Sequence, residues 1–252
     1  MVELITDTIK RQVTEADTVT EHREPLVGFA AAGDPRFADL RRVAAPTHMM
    51  PEDVLPDARS VVAFFLPFAA DVVEANAQEK ERVAHEWATA YLETNALISR
   101  ITAHLVELLA ERGVRAAAEP PTHNFEPVTL VSRWSHKSVA VIAGMGSFGL
   151  HHLLITDAGC AGRFGSLVID AELPATAAEP RERCLYFHDS SCLECVMRCP
   201  VAALGEDNEI DKQACWRRLQ EVAGELGGLD GMGLADACGK CSCGPCALES
   251  AV

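Results

Sequence analysis

Nine of the ten cysteines of this chain lie between Cys184 and Cys246. Within that group, Cys192, Cys195 and Cys199 are separated by two and three residues, and Pro200 follows directly. This is the closing part of the ferredoxin half-site C-x2-C-x2-C-x3-C-P, whose short spacings let one loop hold several corners of an iron–sulfur cube. The spacing therefore predicts that this part of the chain binds an iron–sulfur cluster.

The remaining cysteines of the group supply enough thiols for a second cluster. Two [4Fe–4S] clusters need eight thiolates, and nine are available here. By the crossed logic of two-cluster ferredoxins, we divide eight of them into two sets of four, one per cluster. The first set is Cys184, Cys192, Cys195 and Cys246, and the second set is Cys199, Cys215, Cys238 and Cys241. Cys243 is the spare thiol in this hypothesis, with an exchange of Cys241 and Cys243 as the open alternative.

Other uses of these cysteines stay open at the level of sequence. Zinc also binds pairs of C-x2-C motifs, but it takes four ligands per site and does not account for the x3-Cys-Pro ending. Disulfides form mainly outside reducing compartments. Cys160 lies apart from the other nine cysteines, and we interpret it as an incidental buried thiol.

The balance of charge argues against a nucleic-acid partner. The chain has 22 Lys and Arg residues against 37 Asp and Glu residues, a net charge of −15, whereas proteins that grip a phosphate backbone usually present a basic face. Residues 1–22 show no export signal, and the most apolar stretch, residues 60–73, is too short to span a bilayer. We therefore expect a cytoplasmic protein without membrane contact, and the sequence gives no oligomeric state.

Apolar periodicity predicts an α+β domain before the cysteine-rich segment. Helical spacing is present in residues 4–21, 79–112 and 132–143. Short apolar runs predict strands over residues 26–32, 60–66, 114–118, 153–156 and 164–169. The run at 60–66 is apolar throughout, which predicts a strand buried on both faces. Residues 171–183, rich in Ala, Pro and Glu, read as a linker, so we expect one domain over residues 1–175 and a small iron–sulfur domain over 176–252.

A glycine-rich turn joins the predicted helix at 132–143 to the strand at 153–156. Gly144, Gly146 and Gly149 match the spacing of a dinucleotide fingerprint, but that fingerprint follows a strand and opens a helix, so we reject a Rossmann fold. Glycines here serve either a turn with positive φ or a close approach of the backbone to a large flat ligand. His151 and His152 follow, and adjacent residues on a strand would face opposite ways, so one imidazole is a candidate for contact with a ligand, with solvent exposure and ordinary packing as the open alternative. The three glycines and His151 are the candidate cofactor-binding residues.

Titratable side chains are concentrated just before this turn. They are His123, Glu126, Arg133, His136 and Lys137. Side chains of these types can deliver protons to a bound substrate.

Several segments together resemble epoxyqueuosine reductases and their relatives, the corrinoid-dependent reductive dehalogenases. The segments are residues 51–61 (PEDVLPDARSV), 134–137 (WSHK), 143–149 (AGMGSFG), 153–156 (LLIT), 165–167 (GSL), 192–200 (CLECVMRCP) and the approach 211–215 (DKQAC). The resemblance implies a nitroreductase-like α/β sandwich domain that holds a cobalamin, followed by a ferredoxin-like domain with two [4Fe–4S] clusters. It also implies that electrons pass from the clusters to cobalt and then to a substrate.

The chain departs from that family in two respects. Epoxyqueuosine reductases carry an acidic proton donor in a Val-Asp-Ser-like segment, whereas residues 121–127 here read PTHNFEP, so His123 and Glu126 become the candidate catalytic residues. The sequence also shows no counterpart of their C-terminal tRNA-binding region, which together with the net charge of −15 predicts a small non-tRNA substrate.

Three functions follow as hypotheses. The first is an iron–sulfur oxidoreductase that reduces a small molecule through a corrinoid. The alternative is an electron-transfer protein that reduces a corrinoid or flavin on a partner protein. The third is a noncatalytic redox sensor. A domain of about 175 residues is more chain than a bare electron carrier needs, which favours the first.

Overall fold

The computed structural model describes residues 1–177 and 181–252, and of residue 230 it describes the backbone only. The strands, in chain order, are β1 (Leu26–Ala31), β2 (Ser60–Pro67), β3 (Ala116–Ala117), β4 (Phe125–Glu126), β5 (Val131–Ser132), β6 (Gly146–Phe148), β7 (Leu154–Thr156) and β8 (Gly162–Ile169). The helices are α1 (Val2–Thr14), α2 (Pro35–Val43), α3 (Pro51–Val54), α4 (Ala70–Gln78), α5 (His85–Ala110), α6 (His136–Ile142), α7 (Leu185–Asp189), α8 (Glu194–Met197) and α9 (Lys212–Leu226). Two 3-10 turns, Leu229–Gly231 and Lys240–Ser242, follow α9.

The main sheet is antiparallel and has the strand order β1-β2-β8-β3. Its central strand β2 is buried at all eight positions, which confirms the burial predicted from its apolar run. Side chains alternate between the faces of a strand. Accordingly, Val61, Ala63 and Phe65 join one hydrophobic cluster, while Val62 and Phe64 join another.

Helices cover both faces of this sheet. Helices α1 and α5 pack on one face through residues such as Ile5, Ile98 and Leu105. Helices α2 and α6 pack on the other face through residues such as Phe37 and Val139. The result is a mixed α and β architecture in which an antiparallel sheet lies between two helical layers, as the sequence predicts in its coarse form.

The cysteine-rich segment packs against helices α4 and α5. Val222 of α9 and Ala235, Ala237 and Cys243 share a hydrophobic cluster with Trp87. This contact lays the predicted cluster-binding region against the end of the sheet layer. The division into domains at residues 175 and 176 stays a prediction, and residues 178–180 of the predicted linker lie outside the described residues.

Several predicted boundaries differ from the structure. The helix expected from residue 79 begins at His85, because α4 already ends at Gln78 and the intervening loop is tied back by the Ala84 N–H, which donates to Asn76 Oδ1 (3.2 Å). The expectation that the two histidines after the glycine turn lie on a strand is wrong. His152 has a left-handed backbone (φ 57°), and β7 begins only at Leu154, so their facing cannot be read from strand alternation.

Among the described helices, none combines the length and the apolar character that crossing a bilayer requires.

Candidate functional site

The first set of cysteines lies around one narrow cavity. Cys184 precedes α7, Cys192 and Cys195 flank the start of α8, and Cys246 lies in the C-terminal loop. Burial, together with the neighbouring Cys246, Cys184 and Cys192 thiols, raises the pKa of the Cys195 thiol to about 12. Leu150 contributes to the hydrophobic cluster around these thiols. The fold therefore brings four thiols from three segments to one cavity, which Cys241 also lines.

The second set of cysteines is also assembled by the fold. Burial raises the pKa of Cys215, on α9, to about 11, and the Cys238 and Cys199 thiols act in the same direction. Burial also raises the pKa of Cys241, and the thiols of Cys238, Cys215, Cys195 and Cys199 act in the same direction. The backbone N–H of Ala203 donates to Cys199 Sγ (3.1 Å). Such N–H···S bonds are common around iron–sulfur ligands.

Cys243, the predicted spare thiol, has different surroundings. Its Sγ donates to the Gly239 carbonyl (3.2 Å) and receives a hydrogen bond from Asn76 Nδ2 (3.5 Å). Lys240 Nζ donates to the carbonyl of Asn76 (2.7 Å) and so ties the same loop to α4. Cys243 thus has a structural contact of its own. All ten cysteines are free thiols.

Cys160 is buried, as expected, but it is not isolated. Its Sγ lies 3.8 Å from Cys246 Sγ, and His151 Nε2 lies 3.3 Å from the same sulfur. Among the described residues, these three form the group of His, Cys, Asp or Glu side chains whose ligand atoms lie close enough together to hold a metal ion.

A cavity of about 330 Å³ lies between the sheet, α6 and the second set of cysteines. Cys238 and Cys241 form part of its wall, and Cys160 forms another part. Its aromatic lining is Phe68, Trp87, Tyr91, Trp134 and Phe164. Its polar lining is Asn124, Ser132, Ser135, His136, Lys137, Arg163 and Asp236. An apolar cavity with a few convergent polar groups is the usual form of a small-molecule site.

One side of this cavity carries a buried group of three polar residues. Tyr91 on α5 donates its hydroxyl to Asp236 Oδ1 (2.7 Å). The guanidinium carbon of Arg163, on β8, lies 4.7 Å from the centre of the Tyr91 ring, and its Nε donates to Asn95 Oδ1 (3.0 Å). Burial raises the pKa of Tyr91 and lowers that of Arg163. Among the described residues, none accepts a hydrogen bond from the Nη atoms of Arg163.

The opposite side is formed by the start of α6. Lys137 Nζ donates to the His152 carbonyl (2.8 Å), and burial lowers its pKa to about 8. His136 Nδ1 lies 2.8 Å from Ser166 Oγ, and burial lowers the pKa of this imidazole to about 4. The Cys241 and Cys215 thiols oppose the lowering of the Lys137 pKa, so this ammonium group lies within electrostatic reach of the second set.

Of the two predicted catalytic residues, one lies at the edge of the cavity and the other lies away from it. Glu126 is exposed, and its carboxylate accepts hydrogen bonds from the backbone N–H groups of Thr129 and Val128, which lower its pKa. It does not line the cavity. His123 is also exposed, but its Nε2 lies 3.6 Å from Asp236 Oδ2 and so reaches the edge of the cavity.

The predicted cofactor-binding glycines pack within their own hairpin. Gly144 ends α6 with φ 76°, the left-handed conformation that glycine adopts at a helix end. A Cβ at Gly146 would overlap the carbonyl oxygen of Ile155 on β7. None of the three glycines lines the 330 Å³ cavity, and His151 faces Cys246 instead of that cavity.

Sequence reasoning missed Tyr91, Arg163 and Asp236. Each lies on a different element, and Tyr91 and Asp236 are 145 positions apart. No spacing rule connects such residues. The one signal in the sequence is the presence of an Arg in an otherwise apolar strand, since a buried charge usually serves a specific contact.

No protein-family model matches the chain, and no curated protein matches its sequence. Solved structures do match. A selenomethionine-labelled epoxyqueuosine reductase matches with a TM-score of 0.60 at 14% identity, over 98% of this chain and 66% of that one. An epoxyqueuosine reductase solved with a tRNA-Tyr stem loop matches with a TM-score of 0.58 at 14% identity, over 87% of this chain and 58% of that one.

A catabolic reductive dehalogenase matches with a TM-score of 0.57 at 15% identity, over 90% of this chain and 30% of that one. The chain thus spans about two thirds or less of the length of these proteins. At 14–15% identity, the likeness concerns the fold. In its fold, the chain is similar to epoxyqueuosine reductases and reductive dehalogenases, as the sequence resemblance predicts.

Proposed function

We propose that this chain is an iron–sulfur oxidoreductase. In this proposal it holds two [4Fe–4S] clusters, one on each set of four cysteines, and delivers electrons to a small molecule in the 330 Å³ cavity. The observation that carries the proposal is that Cys238 and Cys241 belong to the second set and also line the cavity. Bound clusters supply single electrons at potentials that the surrounding protein tunes.

The residues present fit iron–sulfur clusters. Thiolates are the ligands that these clusters take, and Cys195 and Cys215 each have thiols of their own set as electrostatic neighbours. Cys184, Cys195 and Cys246 of the first set pack in a hydrophobic cluster that includes Leu150 and Ile155, which reduces their contact with water. In the second set, the Ala203 N–H is already directed at Cys199 Sγ.

The lining of the cavity supports binding and protonation of a polar substrate. Lys137 and Arg163 both line the cavity and carry N–H donors, so a substrate with a carbonyl, carboxylate or phenolate oxygen would find partners in both. Tyr91 fixes Asp236 by a hydrogen bond and leaves Oδ2 toward His123. This placement supports His123, and not Glu126, as a path for protons from solvent.

Cobalamin, which the sequence resemblance implies, does not fit inside this cavity. A volume of about 330 Å³ lies near the lower limit of the range of about 300–1,000 Å³ found for drug-sized ligands. A corrin ring with its nucleotide loop is far larger. Trp87, Tyr91 and Trp134 occupy the space around the cavity. We therefore derive no step through cobalamin, and its use stays a prediction from the resemblance.

Reoxidation of the reduced protein tests this proposal. The anaerobically reduced protein is mixed with small oxidants (a quinone, a nitroaromatic compound, a halogenated phenol) and, separately, with cobalamin, and cluster absorbance is followed. Leu219→Trp fills the cavity from α9, and Gln220→Trp places the same ring at the exposed neighbouring position. We expect only Leu219→Trp to slow reoxidation at least tenfold with unchanged iron content. Equal rates in both variants would exclude the cavity as the site.

A second candidate is electron transfer to a cofactor on a partner protein. Met197, with 70% of its surface exposed, lies between Cys195 of the first set and Cys199 of the second. Phe187, also exposed, lies on α7 three positions after Cys184. Exposed apolar side chains close in sequence to cysteines of both sets suit docking of a redox partner. This candidate is favoured if reoxidation requires a corrinoid or flavin protein and Met197→Asp abolishes it.

Whether any nucleic acid binds is a separate question. The prediction of a non-tRNA substrate rests on the net charge of −15, while one structure with this fold was solved with a tRNA stem loop. Filter binding of tRNA at low salt would test it.

A further inference from the structure

We infer that His151 and Cys160 are positioning residues that raise the reduction potential of the cluster on the first set. The inference rests on the proposed function in one respect, namely that Cys246 is a cluster ligand. Both residues lie beside its sulfur, with His151 Nε2 at 3.3 Å and Cys160 Sγ at 3.8 Å. His151 is 4% exposed and Cys160 is 4% exposed, so neither contact competes with water.

The hydrogen-bond partners of His151 determine which nitrogen carries the proton. The backbone N–H of Leu153 donates to His151 Nδ1 (3.1 Å), so Nδ1 is the acceptor. A neutral imidazole has one acceptor and one donor nitrogen. Nε2 therefore carries the hydrogen and donates it to Cys246 Sγ. A nitrogen that carries a hydrogen is not available to a metal ion, so the three residues form a hydrogen-bonded group around a ligand and not a separate metal site.

Cys160 is held in place by the backbone. Its N–H donates to the Cys246 carbonyl (2.9 Å), and the Ala161 N–H donates to the Ala247 carbonyl (3.0 Å). A Cβ at Gly159 would overlap the carbonyl oxygen of Ala247, so the two segments are in direct contact. With Cys246 bound as a thiolate, the Cys160 S–H is the donor of the pair. Because Cys160 also lines the 330 Å³ cavity, it connects that cavity to the first set.

Two donors on one ligand favour the reduced cluster. Reduction adds negative charge to the cluster and its sulfurs, which strengthens every hydrogen bond that they accept. The apolar neighbours Leu150 and Ile155 reduce screening and increase this effect. We expect loss of either donor to shift the reduction equilibrium roughly tenfold toward the oxidised form, which is about 59 mV for a one-electron couple.

Redox titration of the holoprotein, followed by electron paramagnetic resonance, tests the inference. His151→Ala and Cys160→Ala should lower the potential of one cluster and leave the other unchanged. His151→Gln and Cys160→Ser keep a donor and should shift it less, and they keep the test informative if an alanine variant loses its cluster. His188→Ala removes an exposed imidazole from α7, four positions after Cys184, and should have no effect.

The outcomes separate the inference from the proposed function. Unchanged potentials in all four variants, with iron content intact, would overturn the tuning role and leave the clusters in place. Full iron and sulfide content in Cys246→Ala would overturn the ligand assignment, and the inference with it. A wild-type protein without iron and sulfide would overturn the proposed function itself.

Discussion

Acidification below pH 7 should destabilise the folded protein through His136. The imidazole is 7% exposed, and its Nε2 lies 2.9 Å from the Pro120 carbonyl oxygen, an acceptor only. Nε2 is therefore the donor and Nδ1 accepts from the Ser166 hydroxyl, whose oxygen in turn accepts from Trp134 Nε1 (2.9 Å). This network uses the neutral imidazole completely. Burial lowers the pKa of His136 to about 4.

The size of this loss of stability follows from the protonation of His136 in the unfolded state and in the folded state. In the unfolded chain a histidine takes up its proton near pH 6.5, whereas in the folded protein His136 does so only near pH 4. Between these values the unfolded state binds more protons, so the free energy of unfolding decreases as the pH falls. Each full unit within this window is worth about 1.4 kcal/mol. From pH 7 to pH 5 the loss from His136 is about 2 kcal/mol.

Urea denaturation under anaerobic conditions at pH 7 and pH 5 measures this loss. His136→Gln is the matched variant, since its amide can donate to Pro120 and accept from Ser166 without titrating. Acid effects on the clusters act on both proteins and cancel in the comparison. We expect the wild type to lose about 2 kcal/mol more than the variant over this interval. Equal losses would refute the claim that burial keeps this imidazole neutral.

Three further predictions concern α9 and the C-terminal cysteine-rich loop. Gly239→Ala should lower stability by at least about 2 kcal/mol and reduce iron content, because Gly239 has φ 70° and a Cβ there would overlap the Trp87 ring. Thermal denaturation measures the loss of stability, and iron analysis measures the loss of iron. Gly224→Ala lies within α9, where an added Cβ would meet nothing within 4 Å. It should instead raise stability by about 0.5–1 kcal/mol in the same assay. Cys243→Ala should keep the wild-type iron content while Cys241→Ala loses roughly half of it; the reverse result would exchange their roles.

The sequence reveals the grouping of the cysteines more readily than the cavity, for a physical reason. Short spacings such as those between Cys192, Cys195 and Cys199 constrain the local backbone, so the segment that holds a cluster can be recognised without the rest of the fold. The contact between Tyr91 and Asp236 has no such local cause. It exists because α5 packs against the C-terminal segment through the cluster that contains Trp87.

The glycine turn shows why one motif can support two interpretations. A requirement for glycine at position 146 is consistent with a bound ligand and equally with a close hairpin, and the structure shows that the Ile155 carbonyl occupies that space. His151 was a candidate for cofactor contact because it follows the turn. Its contact with Cys246 depends on a C-terminal loop 95 positions away, which periodicity does not reveal.

Iron and acid-labile sulfide analysis of the anaerobically purified protein tests the central claim most directly. With two [4Fe–4S] clusters on eight thiolates, the account predicts about eight irons and eight sulfides per chain. Serine variants at one cysteine of each set, Cys195 and Cys215, should each remove about four irons. One or two zinc ions per chain without sulfide would contradict the account and assign these cysteines to structural zinc.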